Sequence, residues 1–215
     1  MQKKEITIYK LEDALKQICE GAKEKFDATV EVHINLDLDQ KKQDQMIRFS
    51  LVLPNGTGKS KKVAVMASEK IAGADLELTE SDLDKIEKGE LKAFRDFDVI
   101  ITEPKFMPKL AKVARTLGPA GVMPNPKNGT VTENVAKAVE QTKKGKVDIK
   151  MEQNAPIIHT IIGKVSFGEK SLEENFKDLL ANLKQNKPSK AKPNWIKNVY
   201  IGSSMGKSYS IGLEA

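Results

Sequence analysis

The chain has 215 residues, enough for one large domain or two ordinary ones with real hydrophobic cores. Its 36 Lys and Arg against 30 Asp and Glu leave a net charge of +6, a tilt toward a polyanionic partner that does not by itself name one. The single cysteine, Cys19, excludes an intramolecular disulfide and a cysteine-built zinc site. With no apolar signal core and no run near the ~18 apolar residues of a membrane span, the reading is a cytoplasmic chain with no membrane role.

In chain order, Leu11, Ala14, Leu15, Ile18, Cys19 and Ala22 recur at helical spacing and predict an amphipathic helix. TVEVHINL (29–36) alternates strictly, with Val30, Val32, Ile34 and Leu36 on one face and Thr29, Glu31, His33 and Asn35 on the other. IRFSLVL (47–53) repeats that pattern through Ile47, Phe49, Leu51 and Leu53. Such strands belong to sheets with one face covered and one face open. VAVMA (63–67) and DVIIT (98–102) are continuous apolar runs instead, the mark of strands covered on both faces. Helical patterns alternate with them in TESDLDKIEKG, EPKFMPKLAKVARTLG and TENVAKAVEQTKKG. In the second, Pro104 suits a first helical turn, and Met107, Leu110, Ala111, Ala114 and Leu117 form the predicted apolar stripe. Between the last two helices lies LGPAGVMPNPKNGTVT (117–132), whose prolines and glycines exclude a helix or a central strand. An ordered connection of that length is either functional or architectural. Leu172, Phe176, Leu179, Leu180 and Leu183 predict a long late helix, with Ser171 and Glu174 spaced as a capping box. A basic loop, QNKPSKAKPN (185–194), then leads into the strands WIKNVYI and SYSIGL.

The open-faced strands lie at both ends of the sequence and the doubly covered ones in the middle. The economical arrangement is an α/β domain, residues 58–147, inserted into an α+β domain formed by residues 1–57 and 148–215. The crossings fall at PNGTGKSKK (54–62) and KKGK (143–146), which read as a hinge.

Little of the sequence suggests catalysis. GTGKS (56–60) resembles the end of a phosphate loop, but Leu53 stands where that loop needs glycine, and a strand pattern follows instead of a helix. The competing reading is a nucleotide-dependent enzyme built on the α/β half, and no cofactor is expected. His33 and His159 have no carboxylate at helical ligand spacing and read as strand or surface histidines, with no metal site. Cys19 reads as packing. What remains is binding chemistry. GSSMG (202–206) combines glycines, hydroxyls and a thioether at a strand end, suited to ribose 2′-OH groups and to a base or sugar face. GKVSFGEK (163–170) offers similar groups, with Lys164 available for phosphate. Phe26 stands just before an open-faced strand, where its ring packs inward or lies against RNA; its neighbours alone favour the inward reading.

Taken together, FDATVEVHINL, DFDVIIT, LGPAGVMPNPKNGTVT, GKVSF and SSMG occur in an order and spacing that closely resemble the bacterial members of the universal ribosomal protein L-one family. The resemblance spans nearly the whole chain. It implies a split β-α-β outer domain with an antiparallel sheet, carrying an inserted three-layer, Rossmann-like α/β domain. It also implies a non-enzymatic, ribosome-associated protein, monomeric when free, that binds 23S rRNA at the large-subunit stalk. The same surface would bind the leader of its own mRNA, repressing translation, and the stalk would move with deacylated tRNA at the exit site. Carried over by motif, the RNA-binding residues are Lys25, Phe26, Thr29 and Glu31, then Lys164 and Ser166, then Ser204, Met205 and Gly206. Ser204 stands where the family usually has threonine, and Ala120 where it often has arginine. The chain also lacks the family's basic segment ahead of Glu5 and about one short helix between Ala67 and Gly73.

Overall fold

The computed structural model describes residues 7–21, 25–39, 43–68, 70–71, 73–88, 91, 94–152 and 154–212. The chain divides into two compact units, residues 1–58 with 147–215 and residues 59–146. The first begins with strand β1 (Ile8–Tyr9), helix α1 (Leu11–Gly21), β2 (Thr29–Leu36) and β3 (Arg48–Val52). The second contains β4 (Val63–Met66), β5 (Leu76–Glu77), α2 (Glu80–Lys88), β6 (Val99–Thr102), α3 (Met107–Leu110), α4 (Ala114–Leu117) and α5 (Val135–Lys143). The chain returns to the first through β7 (Lys146–Lys150), β8 (Ile157–Lys164), α6 (Gly168–Gln185), β9 (Ile196–Ser203) and β10 (Ser208–Ile211).

The first unit is built on a five-stranded sheet in the order β1-β10-β9-β2-β8. It is antiparallel except at one edge, where β1 runs parallel to β10. Strand β2 lies between β9 and β8, and its alternation is realised residue by residue: Val30, Val32, Ile34 and Leu36 are buried, while the residues between them are half-exposed. The buried face packs on α1 through Ala14, Leu15 and Ile18 and on α6 through Leu172, Phe176, Leu179 and Leu183. Cys19 packs partly buried against this core, and burial raises its thiol pKa, with Glu169 and Glu20 adding to the effect. Ala22 lies outside the described residues. β3 pairs with β7, and Ile47, Leu51, Leu53, Ile149 and Met151 close the same core.

Strands β7 and β8 are not legible as strands in the sequence. In β8 the doublets Ile157-Ile158 and Ile161-Ile162 put isoleucine on both faces and erase the alternation. The expected capping box is also absent. α6 starts at Gly168, so Ser171 and Glu174 lie inside the helix, where the Ser171 carbonyl and Glu174 Oε2 both accept from Asn55 Nδ2.

The second unit has a three-stranded parallel sheet, order β5-β4-β6. Its two faces feed separate cores. Ala64, Met66 and Ile100 pack with Leu83, Ile86, Leu110, Val113 and Leu117 from α2, α4 and the α3–α4 region. Val63, Val65 and Ile101 pack with Val135, Ala138 and Val139 of α5. These are three layers, helices on both sides of a doubly covered sheet. The predicted helix over 103–118 is broken into single α-turns, α3 and α4, joined by 3₁₀ turns at 104–106 and 111–113. Pro104 and Pro108 each remove a donor there. The stripe shifts accordingly: Leu110, Val113 and Leu117 are buried, Ala111 is exposed, and Met107 and Ala114 are only half-buried.

The proline- and glycine-rich connection is ordered and adds to the sheet. Val122 is buried in the core beside α4. Thr130 Oγ1 accepts from Asn125 N at 2.8 Å and donates to the Asn125 carbonyl at 3.1 Å, tying off the loop. Val131 then forms a parallel bridge with Thr102, extending the sheet beyond β6.

Candidate nucleic-acid interface

Both neighbours of β2 run antiparallel to it, so the start of β2 meets the ends of β8 and β9. Thr29 pairs with Lys164 and Val30 with Ser203. Three sequence blocks, the first more than a hundred residues from the other two, are thereby gathered at one end of one sheet. Ser204 N donates to the Thr29 carbonyl at 2.8 Å, and Ser204 Oγ donates to Glu31 Oε1 at 2.8 Å. On the other side Val165 N donates to the Ala28 carbonyl at 3.0 Å. The nine residues carried over by motif all lie at this end.

Asp27 organises the β8 side, a role its sequence position did not reveal. Its carboxylate accepts from Ser166 N at 3.1 Å and Ser166 Oγ at 2.8 Å, while its carbonyl accepts from Lys164 Nζ at 2.7 Å. The Ser166 hydroxyl bond, more than the nearby Lys164 charge, holds the Asp27 carboxyl below the usual carboxylate range. Lys164 thus rests on a neutral carbonyl, and its charge remains unneutralised by that contact.

The GTGKS stretch supports this lysine and does not lead into the helix a phosphate loop requires, since the residues after it enter strand β4. Gly58 adopts φ +73°, and a Cβ there would lie 2.5 Å from Lys164 Cγ, so only glycine lets the loop close on the lysine stem. The loop is fastened from below by Asn175, fully buried in the apolar stripe of α6. Asn175 Oδ1 accepts from Asn55 N at 3.0 Å, and Nδ2 donates to the carbonyls of Gly56 at 3.1 Å and Ile162 at 2.7 Å. A polar residue at a core position was the available signal for it.

Two large apolar side chains stand in solvent at this end. Phe26 is 56% exposed, which overturns the inward packing read from its neighbours, and Met205 is 89% exposed. Met205 also holds φ +70°, in the left-handed region that long side chains avoid. Gly206 N donates to the Ser203 carbonyl at 2.9 Å, closing the turn that presents it. A Cβ on Gly206 would fall 2.1 Å from Ser203 Oγ, so a larger residue there strikes its own strand before any ligand.

Carboxylates stand among the lysines here: Asp27 feels the Lys164 charge, and Glu31 holds Ser204. The surface therefore offers hydroxyls, an aromatic ring, a thioether and two cations, not a single-sign field. That combination suits the sugar edges and bases of a folded RNA better than a bare phosphate track. Among the described residues no group of three or more His, Cys, Asp or Glu could hold a metal ion, and no helix is long and apolar enough to cross a membrane.

The Ribosomal protein L1p/L10e family matches residues 15–207. A large ribosomal subunit protein uL1 from Mesoplasma florum is 44% identical over 209 residues, covering 95% of this chain and 90% of that protein. Its counterpart from Phytoplasma australiense is 46% identical over 209 residues, 94% of this chain and 89% of that protein. That from Lactobacillus delbrueckii subsp. bulgaricus is 46% identical over 205 residues, 93% and 87% of the two chains.

Proposed function

Because the chain belongs to the ribosomal protein L1p/L10e family, a family of ribosomal proteins and not of enzymes, we propose that it serves as a constituent of the large ribosomal subunit and binds large-subunit rRNA at the stalk. The reading rests chiefly on the convergence of three distant motif blocks at one end of the five-stranded sheet, with Met205 and Phe26 held out into solvent. Thr29, Glu31, Ser166 and Ser204 supply hydrogen-bonding groups for ribose and base edges, and Lys25 and Lys164 meet phosphates. Ser204 keeps the hydroxyl of the family's usual threonine.

On the same reading one surface serves two RNAs. A leader in the protein's own mRNA with the stalk's shape competes for it, so free protein represses its own translation once rRNA is saturated. The stalk carrying the protein then moves with deacylated tRNA at the exit site. Hydroxyl-radical footprinting of the full chain on large-subunit rRNA tests the primary claim. Protection confined to one stalk structure, and lost with Lys164→Ala plus Met205→Ala, is the expected outcome. A chain joining residues 1–58 to 147–215 through a short glycine linker should retain most of the affinity. Tighter binding by residues 59–146 alone would overturn the assignment.

A further inference from the structure

His33 and His159 stand directly opposite each other in the β2–β8 ladder, on the open face of the sheet. Their Nδ1 atoms are 2.7 Å apart, and their rings meet edge to face with centroids 4.8 Å apart. One ring must therefore be the Nδ1–H tautomer, donating to the bare Nδ1 of the other. The outer nitrogens face carboxylates. His33 Nε2 is 3.8 Å from Glu31 Oε2, and His159 Nε2 is 3.8 Å from Glu152 Oε1. Each carboxylate favours a proton on the Nε2 it faces, yet the central contact forces one ring to keep its proton on Nδ1.

We propose that this pair is a two-imidazole chelate for a borderline transition-metal ion, Zn²⁺, Ni²⁺ or Cu²⁺, bound between the two Nδ1 atoms. An ion there resolves the conflict. Both rings become Nε2–H tautomers, each with a carboxylate 3.8 Å from the protonated nitrogen that needs to close by under an ångström to become the outer-shell partner metal-bound histidines usually have. The balance is simple: two neutral imidazoles carry two ring protons before and after binding, so one proton shifts from Nδ1 to Nε2 and none is released. Nitrogens each about 2.0–2.1 Å from one ion lie about 2.9 Å apart at a right angle and about 3.3–3.4 Å apart in a tetrahedral site, so the pair opens by about 0.2 to 0.7 Å depending on the ion. The side chains are 34% and 46% exposed, and β8 is an edge strand, leaving the ion's other positions to water. Hard ions such as Mg²⁺, which take oxygen ligands, are not accommodated.

The titratable groups around the pair are Glu31 on β2, Glu152 beyond β7 and Tyr200, which lies opposite His33 on β9. Burial, with His159 second, lowers the pKa of His33 against the opposing pull of Glu31. No motif could announce such a site, because its two ligands are 126 positions apart and meet only through strand register. It does not depend on the RNA reading.

The test is titration of the tag-free full chain with NiCl₂ and ZnCl₂ near neutral pH, followed by calorimetry and by imidazole nitrogen NMR. One ion per chain is expected, ligated through Nδ1, with binding weakened about 10²-fold by His33→Gln or His159→Gln because a chelate becomes a single ligand. Glu152→Gln should cost about tenfold while leaving both ligands in place. Equal affinity in the wild type and the single histidine variants overturns the proposal, as does an NMR signature of Nε2 ligation in the wild type, which needs no variant to fold.

Discussion

Replacing Met205 with glycine should move stability and RNA affinity in different directions. Met205 is 89% exposed, so truncation removes almost no buried area. Its φ of +70° costs an L-residue roughly 1–2 kcal/mol relative to glycine. Glycine's greater freedom in the unfolded chain returns about 0.5–1 kcal/mol of that. The net is about 0–1.5 kcal/mol in favour of the variant, a melting temperature unchanged or raised by up to about 6 °C. Binding should suffer instead. A thioether lying on a base or sugar is worth about 1–3 kcal/mol by analogy with stacked side chains, or roughly five- to 150-fold in affinity. Thermal melting and rRNA filter binding on the same samples read both effects. Unchanged affinity with a melting temperature lowered by several degrees would mean that Met205 is a structural residue and that the surface has been misassigned. Gly206 is the poorer target, since any Cβ there first collides with Ser203 Oγ.

With a net charge of only +6 and carboxylates interspersed among the lysines, about two to four phosphate contacts are expected, giving a log-affinity slope against log salt of about −2 to −4; a slope near −8 would point to the basic loops instead. Thr160 Oγ1 is buried without a hydrogen-bond partner, so the isosteric Thr160→Val should stabilise the chain by about 1 kcal/mol in chemical denaturation, and destabilisation would reveal a partner. At the start of α2, Asp82 takes hydrogen bonds from Lys85 and Thr79, which lower its pKa from 3.8 to about 2. A depressed carboxyl stabilises above its unfolded pKa and loses that contribution as pH falls through its folded one. Unfolding monitored between about pH 4 and pH 2 should therefore show a loss that Asp82→Asn flattens while being less stable at neutral pH; identical curves would dismiss the cap.

What the sequence discloses is local. The alternation of Val30, Val32, Ile34 and Leu36 declares a half-covered strand before any partner is known, and the unbroken apolar runs at 63–67 and 98–102 declare doubly covered ones. β8 escapes the same reading because Ile157, Ile158, Ile161 and Ile162 fill both faces, so period two carries no information there. The interface residues are readable as a set only through family resemblance. Their adjacency is a matter of antiparallel register, which pairs Thr29 with Lys164 and Val30 with Ser203. Asp27 and Asn175 remain hidden for a related reason. Each acts through bonds spanning more than a hundred residues; the neighbours of Asp27 read only as a turn, and Asn175, though polar at a core position, does not announce its partners.

The parallel pairing of β1 with β10 has a mechanical consequence. Both chain ends belong to the first unit, and the strands nearest them are bonded side by side in the same direction: Ile8 opposes Ser210, Tyr9 opposes Ile211, and Gly212 N donates to the Tyr9 carbonyl. A tensile load applied at the termini pulls these strands past one another in shear, so their bonds are stressed together instead of unzipping one by one. The second unit enters the chain between residues 58 and 147 and lies outside that force path until the first unit has opened. Stretched from its ends, the molecule should yield in a fixed sequence, outer unit first, with the inserted unit carrying force only afterwards.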